Sequence, residues 1–580
     1  MKKIFITLII LSMNILPCIA KDKYVDIKII QTSDIHGNYF PYNFITRTPG
    51  KGSLSRIYSF IKEQRRLYKN NMLLLDNGDI LQGQPTAYYY NFMDTTSQHI
   101  ASSIMNYMKY DVGNVGNHDI ETGHKVFDRW ISSCKFPVLG ANIIDMKTQK
   151  PYLAPYKIFK KSGIKIAVLG MITPGIPAWL PESLWHGLRF DDMELTARKW
   201  IKIIQDKEHP DIIIGLFHAG QSGNLLSGKY NENPSLLVAE NVPGFNIVLM
   251  GHDHIRECKK ILNVAGDSVL IMDPANNGNV VSEIDIRLTK RGKKILNKEI
   301  SGKLTDMNKY EPDPCFLDKF NAQYNAVNNF VSKKIGYFEN SISTRDSYFR
   351  PSAFIDFLHT LQLNITGAEI SFVAPLSFDA RINKGDVFMS DMFNLYKYEN
   401  MLYVMNLSGK EIKDYLEYVY YLWTNQMESK DDNLLLYKNG TSEGEDYRAV
   451  FLNQSYNFDS AAGIVYTVDV SQPLGQKISI KSMADGSPFD MNRMYKVALN
   501  SYRGNGGGDI LTKGAGIPQE ELSKRIVFST DKDLRFYLIK YIEQKKVLNP
   551  QPLNTWKFIP EDWADYRKTI EYPRLFGNNK

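Results

Sequence analysis

The chain is predicted to fold as an α/β protein followed by a second, smaller domain that is also α/β or α+β. Between residue 25 and about residue 300, apolar runs typical of buried strands alternate with stretches in which apolar residues recur at helical spacing. From about residue 340 a second set of strand and helix signals follows, without an internal repeat. Alternation of this kind is typical of layers in which helices cover a sheet.

The elements follow in a simple order along the chain. Residues 57–67 and 195–204 show helical spacing, and short strand runs lie between and around them. The polar stretch from about residue 303 predicts a connecting helix, and the tail after about residue 555 is expected to be an extension packed on the surface. The predicted parts are a signal peptide (1–20), a first domain (21–302), a linker helix (303–338) and a second domain with its tail (339–580).

The N-terminus predicts export. Two lysines, an apolar stretch and Ala20 are typical of a secretory signal peptide, which places the mature protein in the periplasm or outside the cell. Cys18 raises the alternative of a lipid anchor, but Pro17 before it fits lipid attachment poorly. No other apolar run approaches the length that spans a membrane, so we expect no transmembrane segment.

The amino-acid composition narrows the possible classes of protein. The 580 residues are 43% hydrophobic and 23% charged, which is ordinary for a globular chain of two or more domains. The net charge is +7, but the basic residues are dispersed, so we expect no binding of nucleic acid polymers.

Three cysteines remain beyond the signal peptide: Cys134, Cys258 and Cys315. This sparse, odd set argues against a disulfide framework, although one pair could form. Cys258 is interpreted as a buried residue.

Five short polar motifs supply candidate metal ligands, and each of them ends an apolar run. Because the carboxyl ends of parallel strands meet at one edge of a sheet, these motifs are expected to converge. Each motif alone is more often a turn or a half-buried histidine, so the inference rests on the ordered set. The motifs are Asp34-Ile35-His36, Gly78-Asp79, Gly116-Asn117-His118-Asp119, His218 within LeuPheHisAlaGly, and Gly251-His252-Asp253-His254.

The ligand types indicate two divalent ions. Imidazole, carboxylate and one amide oxygen, without a thiolate, suit Zn, Mn, Fe or a similar metal. Seven ligands are too many for one tetrahedral ion, and the two oxygens of Asp79 can bridge a pair of ions. His252 and His254, two positions apart in an extended segment, would face the same side and serve different ions. Two such ions favour phosphoester hydrolysis.

This ordered set resembles the calcineurin-like metallophosphatases, and more closely the secreted two-domain 5′-nucleotidase superfamily. The resemblance implies a four-layer β-sandwich flanked by helices as the first domain and a smaller substrate-binding domain after it. It implies that His118 assists the leaving oxygen and that Glu121, where many relatives have Asp, orients His118. The implied ligands are Asp34, His36, Asp79 and His254 for one ion, and Asp79, Asn117, His218 and His252 for the other.

The second domain carries weaker signals. Leu395–Asn400 is interpreted as a strand with Tyr396 and Tyr398 on one face. A glycine-dense loop from Asn500 to Asp509 contains Tyr502, and its glycines would allow a close approach to a ligand. By themselves, such a loop is more often a flexible turn and paired tyrosines are more often filler.

The resemblance gives these residues a role. In the family two aromatic rings sandwich the nucleobase; Tyr502 matches one, and Tyr398, or Tyr396 as the alternative, matches the other. Residues 373–381 replace the AsnGlyGlyGlyIleArg form of many 5′-nucleotidases and favour the 2′,3′-cyclic-nucleotide 2′-phosphodiesterase/3′-nucleotidase branch. The predicted substrate-binding residues are Arg381, Tyr398, Asn400, Tyr502, Arg503, Gly504, Asn505, Gly506, Gly507 and Gly508.

The sequence therefore predicts an exported, monomeric enzyme that uses two divalent ions. It would hydrolyse 2′,3′-cyclic nucleotides to 3′-nucleotides and these to nucleosides and phosphate. Three alternatives remain: a 5′-nucleotidase or UDP-sugar hydrolase, a hydrolase of a sulfur ester, and a secreted nucleotide-binding module without turnover.

Overall fold

Two sheets form the core of the first domain in the computed structural model, which describes residues 22–223, 225–226, 230–292, 294–438 and 450–577. The predicted signal peptide and Cys18 lie outside the described residues. Each sheet has six strands. In chain order the strands are β1 (Lys23–Thr32), β2 (Met72–Asp76), β3 (Val112–Asn114), β4 (Val138–Leu139), β5 (Tyr156–Lys161), β6 (Ile164–Ile172), β7 (Ile212–His218), β8 (Ile247–Leu249), β9 (Arg256–Leu262), β10 (Ser268–Pro274), β11 (Val280–Arg291) and β12 (Lys294–Asp306).

The two sheets pack face to face. The first has the order β12-β11-β1-β2-β3-β4, and the second has the order β9-β10-β8-β7-β6-β5. The central strands β1 to β4 are parallel, as are β6, β7, β8 and β10. Ile27 and Leu73 of the first sheet share one buried cluster with Val168 and Ile214 of the second. Strands buried on both faces explain the nearly continuous apolar runs of the sequence.

Helices cover the outer face of each sheet and complete four layers. Ser53 caps α1 by accepting a hydrogen bond from Arg56 N, and α1 buries Ile57 and Phe60 against the first sheet. On the second sheet α4 buries Ile201 at the interface. This arrangement confirms the predicted layered α/β fold and the two helices predicted from spacing. The helices are α1 (Leu54–Tyr68), α2 (Ile100–Met108), α3 (His124–Ser133), α4 (Met193–Glu208) and α5 (Ser235–Asn241).

The connection between the domains is only partly helical. Strand β12 continues to Asp306, and two helices, α6 (Pro314–Lys319) and α7 (Asn321–Val331), follow it. The next strand, β13, begins at Lys334. The predicted linker helix over 303–338 was therefore wrong at both ends, because its first and last residues pair in sheets.

A five-stranded mixed sheet forms the centre of the second domain, with the order β17-β14-β20-β16-β21. Ser408 and Glu411 form a capping box at the start of α9 (Gly409–Trp423). The strands are β13 (Lys334–Phe338), β14 (Ile370–Val373), β15 (Gly385–Phe388), β16 (Met401–Ser408), β17 (Ser460–Ala462), β18 (Ile464–Asp469), β19 (Ile478–Met483), β20 (Met494–Asn500), β21 (Ile526–Asp533), β22 (Val547–Leu548) and β23 (Trp556–Ile559). The longer helices are α8 (Ala353–Thr366), α9 (Gly409–Trp423), α10 (Leu534–Lys545) and α11 (Glu561–Phe576).

The C-terminal tail belongs to the core of the second domain. Strand β23 pairs with β18, and α11 follows it. Trp556, Leu575 and Phe576 are buried in the main cluster of this domain. Each such side chain contributes about 1.5–3 kcal/mol through burial. The prediction of a surface extension was wrong because the apolar residues of the tail complete a sheet and a helix layer.

The cysteines are unpaired in the part of the chain that is described. Cys134, Cys258 and Cys315 are all free thiols. Cys258 is exposed on the edge strand β9, so the expectation that it is buried was wrong. Among the described residues, no helix has the length and apolar character needed to cross a bilayer.

Candidate metal centre

The predicted ligands lie at the carboxyl ends of five strands from both sheets. Asp34 and His36 follow β1, and Asp79 follows β2. His218 is the last residue of β7. The remaining predicted ligands are Asn117, which begins a short helical turn after β3, and His252 and His254, which follow β8. The face-to-face packing of the sheets brings these strand ends to one edge of the sandwich.

Three ligands form a first group. The ligand atoms of Asp34, His36 and His254 lie within 4.8 Å of one another. His254 Nε2 lies 3.3 Å from Asp34 Oδ1 and 3.0 Å from His36 Nε2. Two imidazole nitrogens at this distance must share either a proton or a cation.

A second group forms around Asp79, His218 and His252, whose ligand atoms also lie within 4.8 Å of one another. Asn117 Oδ1 lies 3.0 Å from His218 Nε2 and 2.8 Å from His252 Nδ1. Asp79 Oδ2 lies 3.2 Å from His218 Nε2 and 4.0 Å from His36 Nε2 of the first group. The carboxylate of Asp79 therefore lies between the histidines of the two groups.

The donor set fits divalent cations. Asp79 Oδ2 is buried and has no hydrogen-bond partner among the described residues. Its lone pairs are therefore available to a cation. Burial would raise the pKa of Asp34, but His218 and His254 hold it at about 2. Burial would lower the pKa of His218, yet Asp79 and Asp34 raise it to about 10. The carboxylates thus require positive charge in this pocket, which divalent ions would supply.

Strained backbone sets the direction of most ligands. Only a few per cent of residues other than glycine adopt positive φ, and such strain clusters at functional sites. His252 and His254 have φ values of +79° and +59°, so the predicted extended segment was wrong, although the two rings do enter different groups. The ligands with positive φ are Asp34, His36, Asp79, His252 and His254.

The second nitrogen of each ligand histidine also has a partner. Such partners fix the orientation of the ring and its tautomer. Only His252 has a carboxylate in this role, whereas the other three rings meet neutral groups. The pairs are His36 Nδ1 with Gln82 O (3.2 Å), His218 Nδ1 with Asn77 O (2.7 Å), His254 Nδ1 with Asn276 Nδ2 (2.8 Å) and His252 Nε2 with Glu232 Oε1 (3.1 Å).

His118 lies beside both groups without joining either. Its Nδ1 lies 2.5 Å from Glu121 Oε2, so Glu121 takes the orienting position that was predicted for it. Burial would lower the pKa of His118, but Asp79 and Glu121 raise it to about 9. The ring lies parallel to Tyr398, at 6.4 Å between centroids. A protonated imidazole here can donate a proton towards the space above the ligands.

Asp119 has a structural role that the sequence motifs did not predict, although it is the last residue of the GlyAsnHisAsp motif. Its buried carboxylate accepts hydrogen bonds from the backbone N–H groups of Asp79, Ile80, Leu81 and Gly116. It thereby locks two ligand loops together. Gly116 also packs against the side chain of Asp79. A Cβ at position 116 would lie 2.1 Å from Asp79 Oδ1, so only glycine fits there.

A cleft between the two domains opens onto the metal centre. Of the predicted substrate-binding residues, Tyr398, Asn400 and Tyr502 line it. The cleft is lined by Asn117, His118, Glu121, Trp179, Leu180, Glu232, His252, Leu376, Tyr398, Asn400, Tyr456, Asn500 and Tyr502. Trp179, Glu232 and Tyr456 were missed, because no motif marks a side chain that reaches the cleft from a distant loop.

The two predicted tyrosines are separated by the fold. Residues Asp391–Leu395 are helical and residues 396–400 are irregular, so the predicted strand was wrong. Tyr396 is 1% exposed and belongs to the core of the second domain, whereas Tyr398 reaches the cleft. The backbone turns between them, and the two rings do not share a face.

The glycine-dense loop supports Tyr502 from behind. A Cβ at Gly507 would lie 2.6 Å from atoms of the Tyr502 ring, so only glycine allows this contact. Asn505 Nδ2 donates to Trp179 O across the domain boundary at 3.3 Å. None of the predicted residues Gly504, Asn505, Gly506, Gly507 and Gly508 lines the cleft itself.

The two predicted arginines also lie away from the cleft. Arg381 is exposed in a short strand, Arg381–Ile382, opposite Ser343. Arg503 is 2% exposed and is bonded to Asp459. The structure therefore brings together the predicted metal ligands, His118, Glu121, Tyr398, Asn400 and Tyr502, but neither arginine.

Comparison with known proteins gives two matching families. Residues 27–256 match the model of the calcineurin-like phosphoesterases, and residues 333–513 match that of the 5′-nucleotidase C-terminal domain. The chain is 27% identical to a 2′,3′-cyclic-nucleotide 2′-phosphodiesterase/3′-nucleotidase of Salmonella typhimurium, over 92% of this chain and 89% of the relative. A 5′-nucleotidase of Vibrio cholerae is 28% identical over 41% of this chain and 42% of its own length.

Solved structures share the fold. A crystal structure from Staphylococcus aureus, provisionally identified as a 5′-nucleotidase, has a TM-score of 0.75 at 22% identity and covers 92% of this chain and all of its own. The likeness extends over both domains, so the two-domain architecture is common to this chain and that protein.

Proposed function

We propose that this chain, which matches the calcineurin-like phosphoesterase model over residues 27–256 and the 5′-nucleotidase C-terminal model over residues 333–513, is a metal-dependent nucleotide hydrolase. Its proposed substrates are 2′,3′-cyclic nucleotides and 3′-nucleotides. Cyclic substrates would first give 3′-nucleotides, which the same site would convert to nucleosides and phosphate. The observation that carries this proposal is a cleft in which aromatic rings face His118 together with Asn117 and His252 of the second ligand group.

We propose that Asp34, His36, Asp79 and His254 hold one divalent ion, and that Asp79, Asn117, His218 and His252 hold a second. When bound, the ions would polarise the attacking water and neutralise charge on the phosphoryl oxygens. Zn or Mn suits these ligands.

His118 would deliver the proton to the leaving oxygen. In the first reaction a water oxygen bonds to phosphorus, the bond from phosphorus to O2′ breaks, and O2′ takes a proton. In the second reaction the bond to O3′ breaks, and O3′ takes the proton. Glu121 holds the His118 ring through Nδ1, which leaves Nε2 for the substrate.

Tyr398 and Tyr502 would hold the nucleobase. Both rings line the cleft, and stacking on an aromatic face tolerates every base. Asn400, which also lines the cleft, offers an amide for the sugar or the base. Arg381 is exposed outside the cleft and takes no part in this arrangement.

A 5′-nucleotidase or UDP-sugar hydrolase is the second candidate. The similarity to the Vibrio cholerae 5′-nucleotidase supports it, but that similarity covers 41% of this chain. The similarity to the Salmonella typhimurium enzyme covers 92% of this chain, and this favours the cyclic and 3′ substrates. A binding module without turnover is disfavoured by the His118–Glu121 pair, which has no use in simple binding.

We also propose that the protein is exported and acts as a monomer. The basic and apolar N-terminus supports export, and the completeness of the site within one chain supports a monomer.

Phosphate release by the purified mature chain tests the proposal. The substrates are 2′,3′-cyclic AMP, 3′-AMP and 5′-AMP, each with added Zn²⁺ or Mn²⁺ and after chelation. A separate phosphomonoesterase is added to detect the product of the cyclic substrate. We expect metal-dependent turnover of the first two compounds in preference to 5′-AMP. A preference for 5′-AMP would support the second candidate, and no turnover at all would support the binding module.

A further inference from the structure

Tyr456 is an aromatic residue of the cleft that no sequence motif marks. It lies in the short helical turn Ser455–Asn457, 46 positions before Tyr502. The two rings are perpendicular, with centroids 6.2 Å apart. Tyr456 lines the same cleft as Tyr398 and Tyr502, so three tyrosines from three loops surround it.

One buried guanidinium joins two of these loops. Arg503 Nη2 donates to Tyr456 O at 2.9 Å, and Nη1 donates to Asn457 Oδ1 at 3.2 Å. Nη1 also donates to Gly507 O, directly behind the Tyr502 ring. Arg503 therefore binds the loop that carries Tyr456 and the loop that carries Tyr502 at the same time.

The charge of Arg503 is compensated inside the domain. Nε donates to Asp459 Oδ2 at 2.9 Å, and Tyr415 Oη donates to the same oxygen at 2.9 Å. A buried ion pair that makes further hydrogen bonds resists displacement, because a buried donor that loses its partner is costly. The two loops thus have a fixed relative position.

We propose that Tyr456 provides a third aromatic surface for the nucleobase, and that Arg503 is a positioning residue that fixes Tyr456 relative to Tyr502. This inference rests on the proposed function, in which a nucleobase occupies the cleft. Arg503 acts on the base only through the two loops, since its side chain does not line the cleft. A base held by Tyr502 would meet the perpendicular ring of Tyr456, an arrangement that aromatic rings favour.

Variants with two substrates test the inference. The variants are Tyr456→Ala, Tyr456→Phe, Arg503→Lys and Asn457→Ala, with the exposed Tyr421→Ala as control. Turnover is measured for 3′-AMP and for glycerol 2-phosphate, which has the phosphate but no base. For Tyr456→Ala we expect kcat/KM on 3′-AMP to fall about three- to tenfold through KM. Turnover of glycerol 2-phosphate should not change, and Tyr456→Phe should behave as the parent protein.

Arg503→Lys and Asn457→Ala should show the same selective loss for 3′-AMP. Lysine cannot reproduce the fork of donors, and Arg503→Lys can also destabilise the domain. Asn457→Ala is the milder change, because it removes only one acceptor of Arg503. The thermal midpoint of each variant is measured, so that a loss of stability can be distinguished from a loss of base recognition. An equal loss on both substrates would mean that Arg503 is only structural.

Adenosine binding to the metal-free protein separates this inference from the proposed function. If the parent protein binds adenosine and Tyr456→Ala binds it equally well, the third surface is refuted while the base site stands. If the parent protein binds no adenosine and does not prefer 3′-AMP to glycerol 2-phosphate, the base site itself is refuted.

Discussion

The metal centre and the aromatic wall of the cleft are built in different ways. Each predicted ligand lies on or directly after a strand of the central sheets, which bring those strands to one edge. Tyr398 comes from an irregular segment of the second domain, and Tyr456 and Tyr502 come from the short helical turns Ser455–Asn457 and Ser501–Gly504 within its connecting loops. Regular sheet geometry therefore makes ligands from distant motifs converge, whereas the wall depends on how individual loops are held.

Buried arginines hold those loops. Arg503 fixes the loops of Tyr456 and Tyr502, and Arg535 fixes the loop of Tyr398. Arg535 donates to Tyr396 O at 3.0 Å and to Glu399 Oε1 at 2.9 Å. A guanidinium can hold several loop carbonyls at once, because it supplies up to five donors from one side chain.

Asp79→Asn should have the largest effect and should not depend on the base. The amide keeps the shape but removes the charge that both groups share, so we expect loss of bound metal and a fall in turnover of about 1000-fold or more. Bound metal and hydrolysis of 3′-AMP and glycerol 2-phosphate are measured. The exposed Asp206→Asn is the control. Unchanged hydrolysis would exclude Asp79 as the shared ligand.

His118→Gln should have the next largest effect, on kcat. Removal of a general acid lowers kcat by about 100- to 10,000-fold, while both metal groups stay intact. Glu121→Gln keeps a hydrogen-bond acceptor for the ring, so a smaller loss is expected. Metal content and kcat are measured for each variant. Loss of metal from His118→Gln would make His118 a ligand and would contradict its placement outside both groups.

Tyr398→Ala should separate the two regions. Loss of one stacking face weakens binding of a base by about 1–3 kcal/mol, which corresponds to about a 5- to 160-fold loss of kcat/KM on 3′-AMP. Hydrolysis of glycerol 2-phosphate should remain unchanged. Tyr396→Phe, in the adjacent core, is the matched control. An equal loss on both substrates would show that the wall acts on the metal centre as well as on the base.

Glu232→Ala should have the smallest effect, because it removes only the partner of one ligand. Loss of such a partner weakens metal binding by about tenfold or somewhat more. Glu232→Gln, whose amide oxygen can still accept from His252 Nε2, should restore most of the affinity. Asn276→Ala removes the neutral partner of His254 and is the comparison. Metal affinity is measured by titration calorimetry, and equal affinities for all three variants would refute this role.

Sequence patterns predicted the metal centre more completely than the wall. The motifs predicted seven candidate ligands, and the structure places their side chains in two neighbouring groups with His118 and Glu121 beside them. The strand proposed around Tyr398 was wrong, and Tyr456 was not identified. A motif next to a strand inherits its position from the sheet, while a loop side chain does not.

By itself, the sequence determined the layered fold, the ligand types and the strand ends that carry them, because apolar periodicity and short motifs encode these locally. The tertiary structure alone decided the left-handed backbone at His252 and His254, the burial of Arg503 and the incorporation of the tail into the core. These features depend on contacts between residues far apart in the chain, such as Arg503 with Asp459 and β23 with β18. Periodicity within one segment carries no information about such contacts, since both partners must already be in place before either conformation is favourable.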